Sequence, residues 1–143
     1  MGKLKQTYDI EDIEELFKEV LNTVTDRKAV LQEVGEALLL NLDQRFEAEV
    51  DPSGKKWQKL SPFTLRLKEE QKRILKILQS TGRLRRSFEY TINQDDLVIG
   101  TNVSYAKKHQ LGIGVPKREI LGVSEEDKEI IKEILEDYLG FSS

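Results

Sequence analysis

Apolar residues return every three or four positions along the first third of the chain. Ile10, Ile13, Phe17, Val20, Leu21 and Val24 mark one helix face. Beyond a break at Thr25-Asp26, a second series runs through Val30, Leu31, Val34, Leu38, Leu42 and Phe46. The second helix is predicted to be the long one. Its stripe is wide enough for a core face, with Glu33, Glu36, Asp43 and Glu47 mostly in solvent. Asp51-Pro52-Ser53-Gly54 stops it, because proline lacks the amide donor and glycine permits the turn. Ser61-Pro62 starts another helix, with serine as N-cap and proline at the first helical position. That helix carries Leu65 and Leu67 into the charged run Lys68-Glu69-Glu70-Gln71-Lys72-Arg73, predicted to be solvated at one end.

The period then changes. After the loop Ser80-Thr81-Gly82 and a short turn over 84–87, Phe88, Tyr90 and Ile92 alternate with Glu89 and Thr91. The turn Asn93-Gln94-Asp95-Asp96 follows, and Leu97-Val98-Ile99-Gly100-Thr101 answers as a second strand. An isolated hairpin is marginally stable, so it is expected to lie on the long helix or to recruit a further strand around 118–121. A short helix over 104–110 should end at Gly112. Ser124-Glu125-Glu126-Asp127 reads as a capping box opening a last helix through Ile130, Ile131, Ile134, Leu135, Tyr138 and Leu139. The fold class is α+β: long N-terminal helices and a C-terminal helix packed on a small antiparallel β-sheet.

With 143 residues, 38% hydrophobic and 34% charged, the chain is long enough for one core, and a single domain over 1–143 is expected. It contains no cysteine, which excludes disulfide scaffolds, thiolate zinc sites, thiol nucleophiles and iron–sulfur clusters. No apolar stretch approaches the length of a spanning helix, and acidic side chains crowd the chain from Asp9 to Glu19. Neither a membrane span nor a signal peptide is therefore expected, and the protein should be soluble and intracellular. The net charge of -3 conceals a segregation. Residues 1–51 and 119–143 are strongly acidic, whereas 52–118 carry 15 basic against 5 acidic side chains. Either the acidic ends pack beside the basic middle, or the basic part faces a partner.

Catalytic chemistry has little to work with. His109 is the sole histidine, and nothing in the spacing joins it to Ser87, Ser104 and an acid as a nucleophilic set. The terminal carboxylates fall at solvent positions of amphipathic helices, and residues 52–56 lack the spacing of a phosphate-binding loop. No enzyme, cofactor or metal is expected. Nucleic acid is the competing reading: Arg83, Arg85, Arg86, Lys107, Lys108, Lys117 and Arg118 gather around the hairpin, with Phe88, Tyr90 and Tyr105 as stacking groups. Against it, Phe88 and Tyr90 share a strand face suited to the core, and the isoelectric point is near 5.4. Trp57 either anchors its loop to the core or meets a partner. Arg118 either grips a carboxylate of a partner or pairs internally with Glu119, Glu125 or an acid of the long helix.

The order of motifs adds to this reading. Pro52-Ser53-Gly54-Lys55-Lys56-Trp57-Gln58-Lys59-Leu60, then Thr64 and Lys68, then Ile77-Leu78-Gln79-Ser80-Thr81-Gly82-Arg83-Leu84 with Ser87, is similar to the phage virion morphogenesis family of tail completion proteins. The resemblance continues through Val98-Ile99-Gly100-Thr101, Tyr105-Ala106-Lys107-Lys108-His109-Gln110-Leu111-Gly112 and Pro116-Lys117-Arg118-Glu119-Ile120-Leu121-Gly122, and closes with Ser124 and Asp127. One departure is the short stretch between Gly112 and Pro116, where family members often carry a longer loop. The resemblance implies a structural protein of a tailed bacteriophage or prophage, acting at the head-proximal end of the tail so that tail and DNA-filled head join. The implied partners are the tail tube or tail terminator and head-neck proteins, with a ring of copies when assembled, a monomer in isolation, and no specific DNA contact. The implied location is the bacterial host cytoplasm during assembly and then the virion. Partner-binding candidates are Arg118, Lys117, His109, Trp57, Arg83, Arg85, Arg86, Lys107 and Lys108. Among the motif glycines, Gly82 and Gly112 would permit turns and Gly100 a close backbone approach, while Pro116 would fix the entry to Arg118.

Overall fold

The first two apolar series form α1 (Ile10–Thr23) and α2 (Arg27–Ala48) in the computed structural model, which describes residues 9–140. Then come α3 (Pro62–Glu70), α4 (Arg83–Arg86), β1 (Glu89–Asn93), β2 (Asp96–Gly100), α5 (Ala106–Leu111) and α6 (Glu125–Tyr138). The class is α+β, with one two-stranded antiparallel sheet among the described residues. None of the described helices is long and apolar enough to cross a membrane. The residues gather into two compact units. Among the described residues, one holds 9–41, Tyr90–Val98 and 123–140; the other holds Leu42–Glu89 and Ile99–Gly122.

In the first unit, Ile13, Val20 and Leu21 of α1, Val30, Leu31 and Val34 of α2, and Ile131, Ile134 and Leu135 of α6 make one buried cluster. These are the periodic positions of the sequence, removed from water as each helix turns its stripe inward. Ile92 and Leu97 of the hairpin pack against the same cluster. The hairpin lies close on α2: a Cβ added at Gly35 would sit 2.7 Å from Cγ of Tyr90. Asp9 caps α1 by accepting from the Glu11 amide at 2.9 Å. The capping box of α6 is present, with Ser124 Oγ accepting from the Asp127 amide and Asp127 Oδ2 from the Ser124 amide. Asp127 departs from the expected solvent position: it is buried, and its other oxygen accepts from Asn41 Nδ2 at 2.9 Å.

The second unit is built around Phe46, which is fully buried with Trp57 edge-on at 5.4 Å and Phe88 tilted at 5.9 Å. Trp57 is held twice, its amide donating to Glu49 O and its indole Nε1 to Glu119 O, both at 2.9 Å or less. Residues 118–121 form no strand. The amides of Ile120 and Leu121 are taken by a side chain instead: Gln110 Oε1 accepts from both, and Gln110 Nε2 donates to Leu121 O. The helix expected over 104–110 is α5, ended by Gly112 in the left-handed region (φ 73°), whose amide reaches Lys108 O at 2.8 Å. Gly100 does not serve close approach, since a Cβ there would meet nothing within 4 Å. Residues 69–73 are exposed as expected, but Lys68 at the head of that run is only 9% exposed.

Candidate functional site

Lys68 marks one wall of a cavity of about 340 Å³ in the second unit. On α3, the Ser61 side chain accepts from the Thr64 amide and Pro62 fixes the first turn, which sets Thr64 and Lys68 one turn apart on the same face. The ammonium of Lys68 donates to Lys76 O at 2.7 Å, its one described hydrogen bond. Burial pushes the Lys68 pKa down, nearby Glu49 opposes this, and Arg118 reinforces it.

From the other side come α5 and the segment after it. His109 is half-buried beside Tyr105, ring centroids 6.4 Å apart and edge-on, and its Nδ1 is buried without a hydrogen-bond partner. Among the described residues no hydroxyl is hydrogen-bonded to the imidazole. Ser87 Oγ is engaged instead with Leu84 O and Thr101 Oγ1. The carbonyl of His109 accepts from the Arg118 amide at 2.8 Å, which folds Arg118 back under α5. The residue is 6% exposed, and Nε donates to Gln58 O at 2.9 Å. Among the described residues no carboxylate pairs with it, so its internal contact is a backbone carbonyl rather than Glu119, Glu125 or an acid of α2. Burial lowers the Arg118 pKa, and burial together with Arg118 lowers that of His109. Arg73 and Arg83, both exposed, complete the cationic lining, and among the described residues no Asp or Glu lines the cavity.

The remaining sequence candidates stand elsewhere. Arg85 is consumed by an internal network: Nε and Nη2 grip the two oxygens of Asp43 at 2.6 and 2.9 Å, while Nη1 donates to Glu47 and Gln79. The hydrogen bonds raise the Arg85 pKa well above its ordinary value and lower those of Asp43 and Glu47. Arg86 lies against Gly82 and reaches Thr81 O at 3.4 Å. Lys107, Lys108 and Lys117 are exposed without an ion pair among the described residues. Trp57, at 5% exposure, is a core anchor. Of the proposed stacking rings, Phe88 is core and Tyr90 packs on Gly35, leaving Tyr105 at the cavity. Among the described residues, no three of His, Cys, Asp or Glu come together as a metal site.

The structure thus joins Arg83, His109 and Arg118 with Lys68 and Arg73, two residues that sequence reasoning did not single out as contacts. Lys68 was visible as part of a motif. Indeed every lining residue except Arg73 belongs to the motif stretches quoted above, which are scattered over 52–122 and converge here.

The protein is thus a small α+β chain whose motif residues meet at a cationic cavity. The chain belongs to the phage virion morphogenesis family, whose model matches residues 8–140. It is 32% identical over 120 residues to the putative capsid assembly protein G of Escherichia phage Mu, covering 76% of this chain and 77% of that protein. It is 28% identical over 135 residues to the Mu-like prophage FluMu G protein 1 of Haemophilus influenzae, covering 92% of each. No solved structure matches. The chain is accordingly a phage virion morphogenesis protein with a structural or assembly role.

Proposed function

We propose that this protein completes the head-proximal end of a phage tail and thereby allows tail and head to join. The observation that carries the reading is the family match over nearly the whole chain, from residue 8 to 140. The relative in phage Mu bears the name of a capsid assembly protein, and a protein at the neck touches both the capsid side and the tail side. Charge supports the same reading. The described residues of the first unit carry 5 basic and 18 acidic side chains, and those of the second 16 and 8. A subunit carrying both signs gains register and association rate where complementary surfaces meet. In this reading copies form a ring on the tail end, the isolated protein is a monomer, and the neighbours are the tail tube or terminator and head-neck proteins. Its action is structural, without catalysis, in the host cytoplasm before release of the virion.

Particles made without this gene, viewed by electron microscopy, test the reading. Filled heads and separate tails, rejoined when the protein is supplied, are expected. Complete particles in its absence, or a lack of heads, would overturn it.

A further inference from the structure

The cavity in the second unit is charged in a way the fold does not compensate. Lys68, Arg73, Arg83, His109 and Arg118 surround it, and among the described residues no carboxylate lies on its walls. Arg118 is the sharpest case. The residue is 94% removed from solvent and its one described side-chain hydrogen bond is made by Nε, while the two Nη nitrogens have no partner among the described residues and keep contact with solvent. His109 Nδ1 is buried and unpartnered. Only Lys68 and Arg118 are buried as residues; setting them side by side is costly, and Glu49, the one acid that acts on Lys68, is itself engaged with the Ile77 amide. Water hydrates the open cationic groups in the free protein, and an anion would complete the arrangement.

We infer that this cavity receives a carboxylate side chain presented by another protein chain, with the two Nη groups of Arg118 binding its oxygens in parallel and Arg83 at the rim. The planar fork matches a planar carboxylate. Leu60, Leu78, Leu84 and Tyr105 line the remaining wall together with Thr64, Ser80 and Thr81, and the apolar members would cover the stem of an acidic side chain. A duplex phosphate fits less well, because it rides between sugars on a broad backbone and cannot follow a guanidinium to this depth. The inference rests on the assembly reading for the nature of the partner. Binding by pure protein is nevertheless scored apart from particle assembly, so either can fail alone.

The sole histidine supplies the probe. The full chain is titrated with acetylated, amidated hexaglutamate while the His109 imidazole proton signals are followed by NMR; inorganic phosphate and duplex DNA are titrated in parallel. The expected result is a saturable shift with hexaglutamate, weakened about tenfold or more in Arg83→Glu, whose exposed site leaves folding intact. Arg118→Lys, which keeps the charge and loses the fork, should weaken it similarly. A His109 signal unmoved by hexaglutamate, a response to phosphate or DNA at least as strong, or unchanged binding by Arg83→Glu would each overturn the proposal.

Discussion

Gln110 and Leu121 form a reciprocal pair: the Gln110 side-chain carbonyl accepts from Leu121 N, and its amide donates to Leu121 O, each at 2.9 Å. A side chain here performs the two bonds a neighbouring strand would make, and its Oε1 also takes Ile120 N at 2.8 Å. Gln110→Ala leaves two partly buried amides and a carbonyl to find other partners. A loss of about 2 kcal/mol is expected in urea unfolding, since unmet backbone groups cost roughly 1–3 kcal/mol. A loss near zero would mean that water replaces the side chain.

Gly35→Ala sets two effects against each other. Helix propensity favours alanine by about 1 kcal/mol. The added methyl, however, would meet the Tyr90 ring at 2.7 to 3.0 Å, and overpacking of this kind costs roughly 1–3 kcal/mol. The variant should therefore melt lower than the parent, and Tyr90→Ala in the same chain should remove that particular penalty. An increase in melting temperature would show that the ring moves freely aside.

Stability should fall as pH drops through the ordinary histidine pKa of 6.5. Burial and Arg118 hold the folded His109 below that value, so between the two pKa values the unfolded chain binds more protons. Lys68, Arg73 and Arg83 also line the cavity that His109 borders. His109→Gln should flatten the slope just below pH 6.5 while leaving losses at lower pH in place. An unchanged slope would assign it to other groups.

Arg85→Ala should cost about 1 kcal/mol, the upper end for a partly exposed pair with good fork geometry. Asp43 is half exposed, which keeps the figure low. Arg85 holds the Asp43 pKa below its ordinary 3.8, so this contribution is present above that pH and is lost as pH falls through the folded value. Unfolding curves of parent and variant should converge in acid and draw together in strong salt. A gap indifferent to both would place the effect in packing.

How far the sequence discloses all this depends on the range of the interaction. α1, α2, α6 and the hairpin are legible because a period of 3.6 or 2 is repeated within each segment, and the Ser124 capping box because its two members are three residues apart. Gln110 is not legible: glutamine in a polar stretch gives no sign that it will serve amides 10 and 11 residues on. Arg118 shows a related difficulty. A reading that seeks its partner among acids passes over Gln58, because the accepting group is a carbonyl that every residue carries. The cavity is hidden as a shape, although Lys68, Arg83, His109 and Arg118 stand in the motifs that build it.

Residues 118–121 make none of these bonds among themselves. Arg118 is tied to Gln58, Glu119 to Trp57 and Ile120 to Arg45, across separations of 60, 62 and 75 residues. The segment therefore joins parts of the second unit that lie far apart along the chain, and a change that freed it would loosen the Arg118 wall of the cavity together with the Trp57 loop.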